Sequence, residues 1–101
     1  VPSVEALPGV VAAVDGRVDV VLDSGIRRGS DAVKAVALGA TSVMFGRPYV
    51  FGLAAGGAAG VTRGLDIFSS EIDRVLALLG VASIDEVRGH AADLLVDRYP
   101  R

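Results

Sequence analysis

Apolar positions along the chain fall into two patterns, short continuous runs and longer stretches with apolar residues three or four apart. Residues 18–22 (VDVVL) are β-branched and nearly continuous in apolar character, which predicts a buried parallel strand that ends at Asp23. Residues 42–45 (SVMF) predict a second short strand. Between them, residues 31–38 have helical spacing with Lys34 on the polar side, and Gly39 is a suitable stop. The order strand, helix, strand predicts a βαβ unit with a right-handed crossover.

Further helical segments flank this unit. They are residues 3–14 with Ser3 as N-cap, residues 49–55, residues 62–79 with one apolar face, and a helix or helical turn that begins at the capping-box sequence 83–86. Pro8 is expected to kink the first of them. Gly80 is expected to end the long one. The tail, up to Arg101, is expected to lie at the surface.

Composition narrows the class of protein. With 51% apolar residues the chain is not disordered, and without cysteine it has neither disulfides nor thiolate metal sites. The net charge of −2 and the lack of a basic cluster argue against nucleic-acid binding. We expect no membrane span and no signal peptide, hence a cytoplasmic protein. Apolar strands with Ala/Gly-rich helices are typical of large α/β proteins, so residues 1–101 are expected to form a single incomplete domain.

The loop after the first strand is the first candidate site. It runs from Asp23 to Asp31, between a strand tip and a helix N-terminus, where free N–H groups and the helix dipole favour anions. Gly25 and Gly29 allow close backbone approach. Two consecutive arginines, at positions 27 and 28, add fixed positive charge. The alternative is an ordinary βα loop with surface arginines.

The sequence Gly46-Arg47-Pro48 after the second strand is the other candidate. Glycine again stands at a strand tip, an arginine follows, and proline suits the start of a helix. Two such loops on consecutive parallel strands predict one phosphate site, as found after strands 7 and 8 of many (β/α)8 barrels. A routine turn remains the alternative.

Other chemical signals are weaker. His90 is expected to be solvated rather than catalytic, and no catalytic triad or metal-ligand cluster can be assembled. Tyr49 and Phe51 are expected to pack in the interior. The acidic residues of the long helix are expected to form surface pairs with its two arginines; they are Asp66, Glu71 and Asp73, with Arg63 and Arg74.

Three segments carry a resemblance to a known family: DSGIRRGSDAVKAVALGA (residues 23–40), MFGRPY (44–49) and GLAAGGAAGV (52–61). Together they closely resemble the C-terminal region of the FMN-dependent α-hydroxy acid oxidases and dehydrogenases. The resemblance implies an α/β fold, the C-terminal part of a TIM (β/α)8 barrel, with strands 7 and 8 and their flanking helices. It implies FMN contacts at Asp23, Ser24, Gly25, Ile26, Arg27, Gly46 and Arg47. Arg28 also matches the motif.

The same resemblance implies what this chain lacks. The family uses a histidine base and a substrate-binding arginine in a His-Gly-Gly-Arg motif, which is not in this sequence, so no catalytic residue is assigned and the chain alone is expected to be inactive. Its full-length parent is expected to oxidise a small 2-hydroxy acid to a 2-oxo acid and to form a homo-oligomer. The chain by itself is expected to self-associate.

Two alternatives stay open. Other FMN- or phosphate-binding barrels, such as type 2 isopentenyl-diphosphate isomerase and inosine-monophosphate dehydrogenase, use similar Gly-Gly-Ile-Arg loops. The chain could also be a non-catalytic assembly module that pairs its exposed strand edges with another chain.

Overall fold

Two parallel strands with a helix between them form the centre of the molecule, as the hydrophobic pattern predicts. A computed structural model describes residues 1–96. The elements in chain order are α1 (Ser3–Val14), β1 (Val21–Asp23), α2 (Gly29–Ala37), β2 (Ser42–Met44), α3 (Arg47–Leu79), a 3₁₀ turn (Ile84–Glu86) and α4 (Ala91–Leu94).

The register of the two strands brings their carboxyl ends together. Val21 pairs with Ser42, and Asp23 pairs with Met44. Leu22 points to the helical side and is 5% exposed, whereas Val21 and Met44 on the opposite face are 49% and 57% exposed. In the part of the chain that the structure describes, helices therefore cover one face of the sheet, and the other face is open.

Helix α2 fills the space between the sheet and α3. Its buried positions are all small or β-branched, namely Gly29, Ala32, Val33, Ala35, Val36 and Ala37. Lys34 faces solvent, as predicted. Small side chains let the helix approach both neighbours closely, so its two sides join two apolar clusters, one around Leu22 and Phe68 and one around Leu76 and Val87.

Helix α3 consists of two helical arms that meet at Gly56 and Gly57. These residues have non-helical backbone angles, with φ +61° at Gly57. The arms contact each other through backbone, because a Cβ on Gly60 would lie 1.9 Å from the Gly52 carbonyl oxygen. The separate helices predicted for residues 49–55 and 62–79 are thus confirmed as arms, although the first arm begins at Arg47 and the second also includes residues 58–61.

Some local predictions are wrong. Strand β1 is shorter than residues 18–22: the Val20 amide donates to Thr41 Oγ1 at 3.0 Å instead of continuing a regular ladder. Pro2, not Ser3, is the N-cap of α1, without a side-chain cap. Ser83 makes no capping hydrogen bond, although Glu86 accepts one from the Ala82 amide at 2.9 Å. The helical turn expected at this sequence is confirmed as the 3₁₀ turn over Ile84–Glu86.

Several apolar side chains expected to pack inside lie at the surface. Phe51 is 67% exposed and Tyr49 is 43% exposed, so neither packs in the interior of this chain. Leu65 and Ile67 on the apolar face of α3 are each 45% exposed. The last part of the predicted surface tail, residues 97–101, lies outside the described residues.

The contact between the two arms of α3 leads to a test of stability. We expect Gly60→Ala to lower the free energy of unfolding by about 1–3 kcal/mol, because the added methyl group would overlap the Gly52 carbonyl. Gly9→Ala in α1 is the matched control, because a Cβ there would meet no atom within 4 Å. That variant should be neutral or up to about 1 kcal/mol more stable. Urea denaturation of both variants measures the difference, and equal effects would contradict the contact.

Candidate functional site

A cleft lies where the two strands end. Because Asp23 is level with Met44, the loops that follow them emerge side by side. They enclose a cleft of about 290 Å³ lined by Asp23, Ser24, Gly25, Ile26, Arg27, Phe45, Gly46 and Arg47. The lining includes all seven residues for which the resemblance implies FMN contacts, and it adds Phe45, whereas Arg28 and Gly29 of the first loop do not line it.

The first loop turns sharply at the strand tip. Ser24 and Gly25 have φ of +83° and +80°, a left-handed conformation that glycine adopts freely and serine adopts at a cost. The Asp23 carboxylate helps to hold this turn, since its Oδ1 accepts a hydrogen bond from the Ser24 amide at 2.8 Å. A Cβ at Gly25 or Gly46 would meet no atom within 4 Å, so the space beside both glycines is open to a ligand.

Ile26 anchors the loop to the interior. Its side chain is 6% exposed and belongs to the core cluster with Leu7 and Leu22. Arg27, directly after this anchor, is exposed and lines the cleft. Arg27 and Arg47 also border an adjoining space of about 460 Å³ with Pro48 and Phe51. The two arginines thus border the same two spaces from two different loops.

Three of the amides at and just before the N-terminus of α2 are already bonded to carboxylates of the chain. Asp31 Oδ2 accepts hydrogen bonds from the Arg27 and Arg28 amides, each at 3.0 Å. Glu71 Oε1 accepts one from the Gly29 amide at 3.2 Å. An anion could reach these amides only by displacing a carboxylate of the chain itself. The positive charge available at the cleft therefore comes from the side chains of Arg27 and Arg47.

Arg28 is turned away from the cleft into an ion pair with Glu71. Its Nε donates to Glu71 Oε2 at 2.6 Å, and its terminal nitrogen contacts the same oxygen. The hydrogen bond and the charge of Glu71 raise the pKa of Arg28. The hydrogen bonds from Arg28 and from the Gly29 amide, with further attraction from Arg28 and Arg74, lower the pKa of Glu71.

This ion pair corrects the expectation that Glu71 pairs with the arginines of its own helix. Its side-chain partner Arg28 lies in the loop just before α2, 43 positions earlier in the chain. Local spacing gives no indication of such a pair. Phe45 was also missed, since it looks like an ordinary strand residue; its ring stacks on Phe68 with centroids 4.6 Å apart.

The second loop leads directly into a helix. Gly46 is the N-cap of α3, and the Val50 amide donates to the Gly46 carbonyl at 3.0 Å. Arg47 is the first helical residue and Pro48 the second, so proline stands in the first turn, where its missing N–H costs nothing. Arg47 is therefore held at the mouth of the cleft by the helix that it begins.

His90 lies elsewhere. It is 58% exposed, and its Nδ1 is 3.6 Å from Asp93 Oδ2 at the surface, as expected for a solvated histidine. Within residues 1–96, no group of three or more potential ligands could hold a metal ion. Over the same range, no helix is long and apolar enough to cross a membrane.

Comparison with known proteins gives a consistent result. A family model described as FMN-dependent dehydrogenase matches residues 1–94. Pre-mycofactocin synthase of Mycobacterium tuberculosis is 57% identical over 94 residues, which are 93% of this chain and 23% of that protein. L-lactate oxidase of Nostoc sp. is 45% identical over 87 residues, 86% of this chain and 24% of that protein. The chain thus spans about a quarter of the length of these curated relatives.

Solved structures agree with this result. Mandelate oxidase with benzoyl-formic acid superposes with a TM-score of 0.84 at 43% identity, over 88% of this chain and 27% of that one. Lactate oxidase of Pediococcus acidilactici superposes with a TM-score of 0.79 at 42% identity, over 83% of this chain and 23% of that one. A mandelate oxidase variant with the same TM-score of 0.84 carries a monooxide FMN adduct. These neighbours are TIM-barrel flavoenzymes.

The Arg28–Glu71 pair leads to a pH test. Because the folded-state pKa of Glu71 lies below its unfolded value, its stabilising contribution is present at neutral pH and is lost as the pH falls through the lowered pKa. Urea denaturation of the unaltered chain and of Glu71→Gln measures this between about pH 6 and about pH 3. The two denaturation midpoints should differ most near pH 6 and should converge as the pH approaches 3. A constant difference across that range would contradict the ionised pair.

Proposed function

The chain belongs to the FMN-dependent dehydrogenase family, and we propose that it forms the segment of the flavin-binding barrel that includes strands 7 and 8 and holds the FMN phosphate. One observation carries this proposal: Arg27 and Arg47, from the loops after two successive parallel strands, line one cleft. Barrels of this class commonly bind phosphate with the loops after their last two strands.

The residues at the cleft fit FMN chemically. Two guanidinium groups match the charge and the fork geometry of a phosphate dianion. Gly25 and Gly46 leave open space beside the backbone, which lets a ligand come close. The Asp23 carboxylate can accept a hydrogen bond from a ribityl hydroxyl, because an ionised carboxylate accepts several hydrogen bonds and the Ser24 amide occupies one position, on Oδ1. Ser24 and Ile26 complete the lining and hold the turn in place.

In this proposal the chain binds and orients the cofactor and takes no part in proton transfer. FMN, when bound, supplies the acceptor for the hydride that leaves a 2-hydroxy acid as it becomes a 2-oxo acid. The one carboxylate among the residues that line the cleft, that of Asp23, is assigned here to the ribityl chain, and exposed His90 lies outside the lining. We therefore assign the catalytic base to a part of the enzyme other than residues 1–96.

A second candidate function differs from the first in the substrate of the parent enzyme. The relative with 57% identity is a pre-mycofactocin synthase, whereas the L-lactate oxidase of Nostoc is 45% identical. This difference favours a parent enzyme that forms pre-mycofactocin over one that oxidises lactate or glycolate, with the same role for the cleft residues. The isomerase and nucleotide dehydrogenase alternatives lose their support, because the family match extends over residues 1–94. Homo-oligomerisation of the parent, self-association of this chain and a cytoplasmic location stay predictions.

The arginines provide the first test of this proposal. Arg27→Gln and Arg47→Gln should each weaken FMN binding by about 10- to 100-fold, the value of a lost charge-assisted hydrogen bond to phosphate. Fluorescence titration with FMN measures the change. The control is Arg63→Gln, which removes the same charge. Arg63 is exposed on α3 and lies outside the cleft lining.

Two results would overturn the phosphate assignment. One is an equal loss of affinity in Arg63→Gln, which would mean that only net charge matters. The other is a lack of FMN affinity in the unaltered chain, which would favour a non-catalytic assembly module.

Activity is the second test. The chain with added FMN should not oxidise lactate or glycolate, because the proposal assigns the catalytic base to another part of the enzyme. Stopped-flow reduction of the flavin measures this directly. Turnover that persisted in Arg47→Ala but disappeared in His90→Ala would contradict the proposal, since it would make the surface histidine catalytic.

A further inference from the structure

The two consecutive arginines of the first loop have different surroundings. Arg27 lines the cleft, whereas Arg28 binds Glu71 on α3. We propose that Glu71 is a positioning residue for the phosphate-binding loop. It accepts hydrogen bonds from Arg28 and from the first amide of α2, and this leaves Arg27 as the arginine of the loop that binds the anion. This inference rests on the proposed function, because it concerns how the loop that holds FMN is kept in shape.

The geometry at Glu71 is that of a two-point attachment. One carboxylate oxygen accepts from Arg28 Nε at 2.6 Å, and the other accepts from the Gly29 amide at 3.2 Å. The side chain of Glu71 is 15% exposed, while that of Arg28 is 72% exposed. The carboxylate is therefore the fixed member of the pair, and Arg28 is the member whose direction it determines.

Backbone contact reinforces the attachment. A Cβ at Gly29 would lie 2.6 Å from both Glu71 Cβ and the Ile72 nitrogen, so α2 begins in direct contact with α3 at this point. Glycine at position 29 is what brings its amide within reach of the Glu71 carboxylate. Movement of the loop away from α3 would break both hydrogen bonds at once.

The two arginines differ in what they border. Arg27 and Arg28 both border a small space beside Glu71 and Pro48, whereas Arg27 also lines the cleft and Arg28 does not. The ion pair with Glu71 accounts for this difference, because it commits the Arg28 guanidinium to α3. The backbone of both arginines is also fixed, because their amides each donate a hydrogen bond to Asp31 Oδ2 at 3.0 Å. Without Glu71, Arg28 would be free to compete for the anion and to rotate the loop.

The direction in which a substitution of Glu71 changes the affinity for FMN distinguishes this role from a simple charge effect. Removing a negative charge near an anion site strengthens anion binding if only net charge matters. A positioning role predicts the opposite, because a loop that has lost its attachment must be ordered again when the anion binds. Glu71→Gln should therefore weaken FMN binding about tenfold, equivalent to one hydrogen bond to a charged group.

The experiment is fluorescence titration of the full chain with FMN, in four proteins and one control. The four are the unaltered chain, Glu71→Gln, Arg28→Gln and the double variant, and together they form a double-mutant cycle. The control is Asp73→Asn, which makes the same charge change on the same helix at an exposed position. We expect Asp73→Asn to bind FMN as well as the unaltered chain or slightly better, and the double variant to bind no more weakly than Glu71→Gln.

Three results would overturn the inference. Unchanged or tighter FMN binding in Glu71→Gln would show a charge effect only. A further loss when Arg28→Gln is added to Glu71→Gln would make Arg28 a direct phosphate ligand. Absence of FMN binding in the unaltered chain would remove the proposed function itself, and with it this role of Glu71.

A nuclear magnetic resonance measurement covers the case in which Glu71→Gln fails to fold. In the unaltered chain, the Gly29 amide shift should follow the titration of Glu71, with a midpoint below the ordinary glutamate value. Arg28, Arg74 and the Gly29 amide are the groups that set this midpoint. A Gly29 amide that does not respond to the pH would contradict the attachment.

Discussion

The parallel register of two three-residue strands is the constraint on which the rest of the structure depends. Because Asp23 is level with Met44, the two loops that follow must leave the sheet at the same edge. A shift of one residue would turn Leu22 out of the core and would separate the loops. The arginines that follow these strands meet at one cleft only because this short ladder aligns the ends of the strands.

Small residues allow the helices to hold that alignment. Helix α2 presents alanines and valines to its neighbours, and Gly29 brings its first turn against the backbone of α3. The arms of α3 meet through Gly52 and Gly60 in the same way. Volume rather than polarity therefore decides which substitutions these contacts tolerate, and the Ala/Gly-rich composition follows directly from the close approach of backbones.

The sequence allowed prediction of the strand-loop-helix order and of the cleft residues, because each of these depends on local pattern. Asp23, Gly25 and Arg27 stand at a strand tip in a recognisable order, and so do Gly46 and Arg47. The pairing of Arg28 with Glu71 could not be predicted, since it joins residues 43 positions apart. The occupied amides at the start of α2 were missed for the same reason: they depend on which carboxylates the fold brings near. Exposure of Phe51 likewise depends on packing, which spacing does not reveal.

The open face of the sheet has a thermodynamic consequence. Asp23, at the cleft, shares this face with exposed Val21 and Met44. Any protein layer that covered it would also exclude water beside the two arginines and would lower the local dielectric constant, which strengthens their attraction for phosphate. The two events would then be linked: covering the face would raise the affinity for the anion by some factor, and the bound anion would favour the covered state by the same factor.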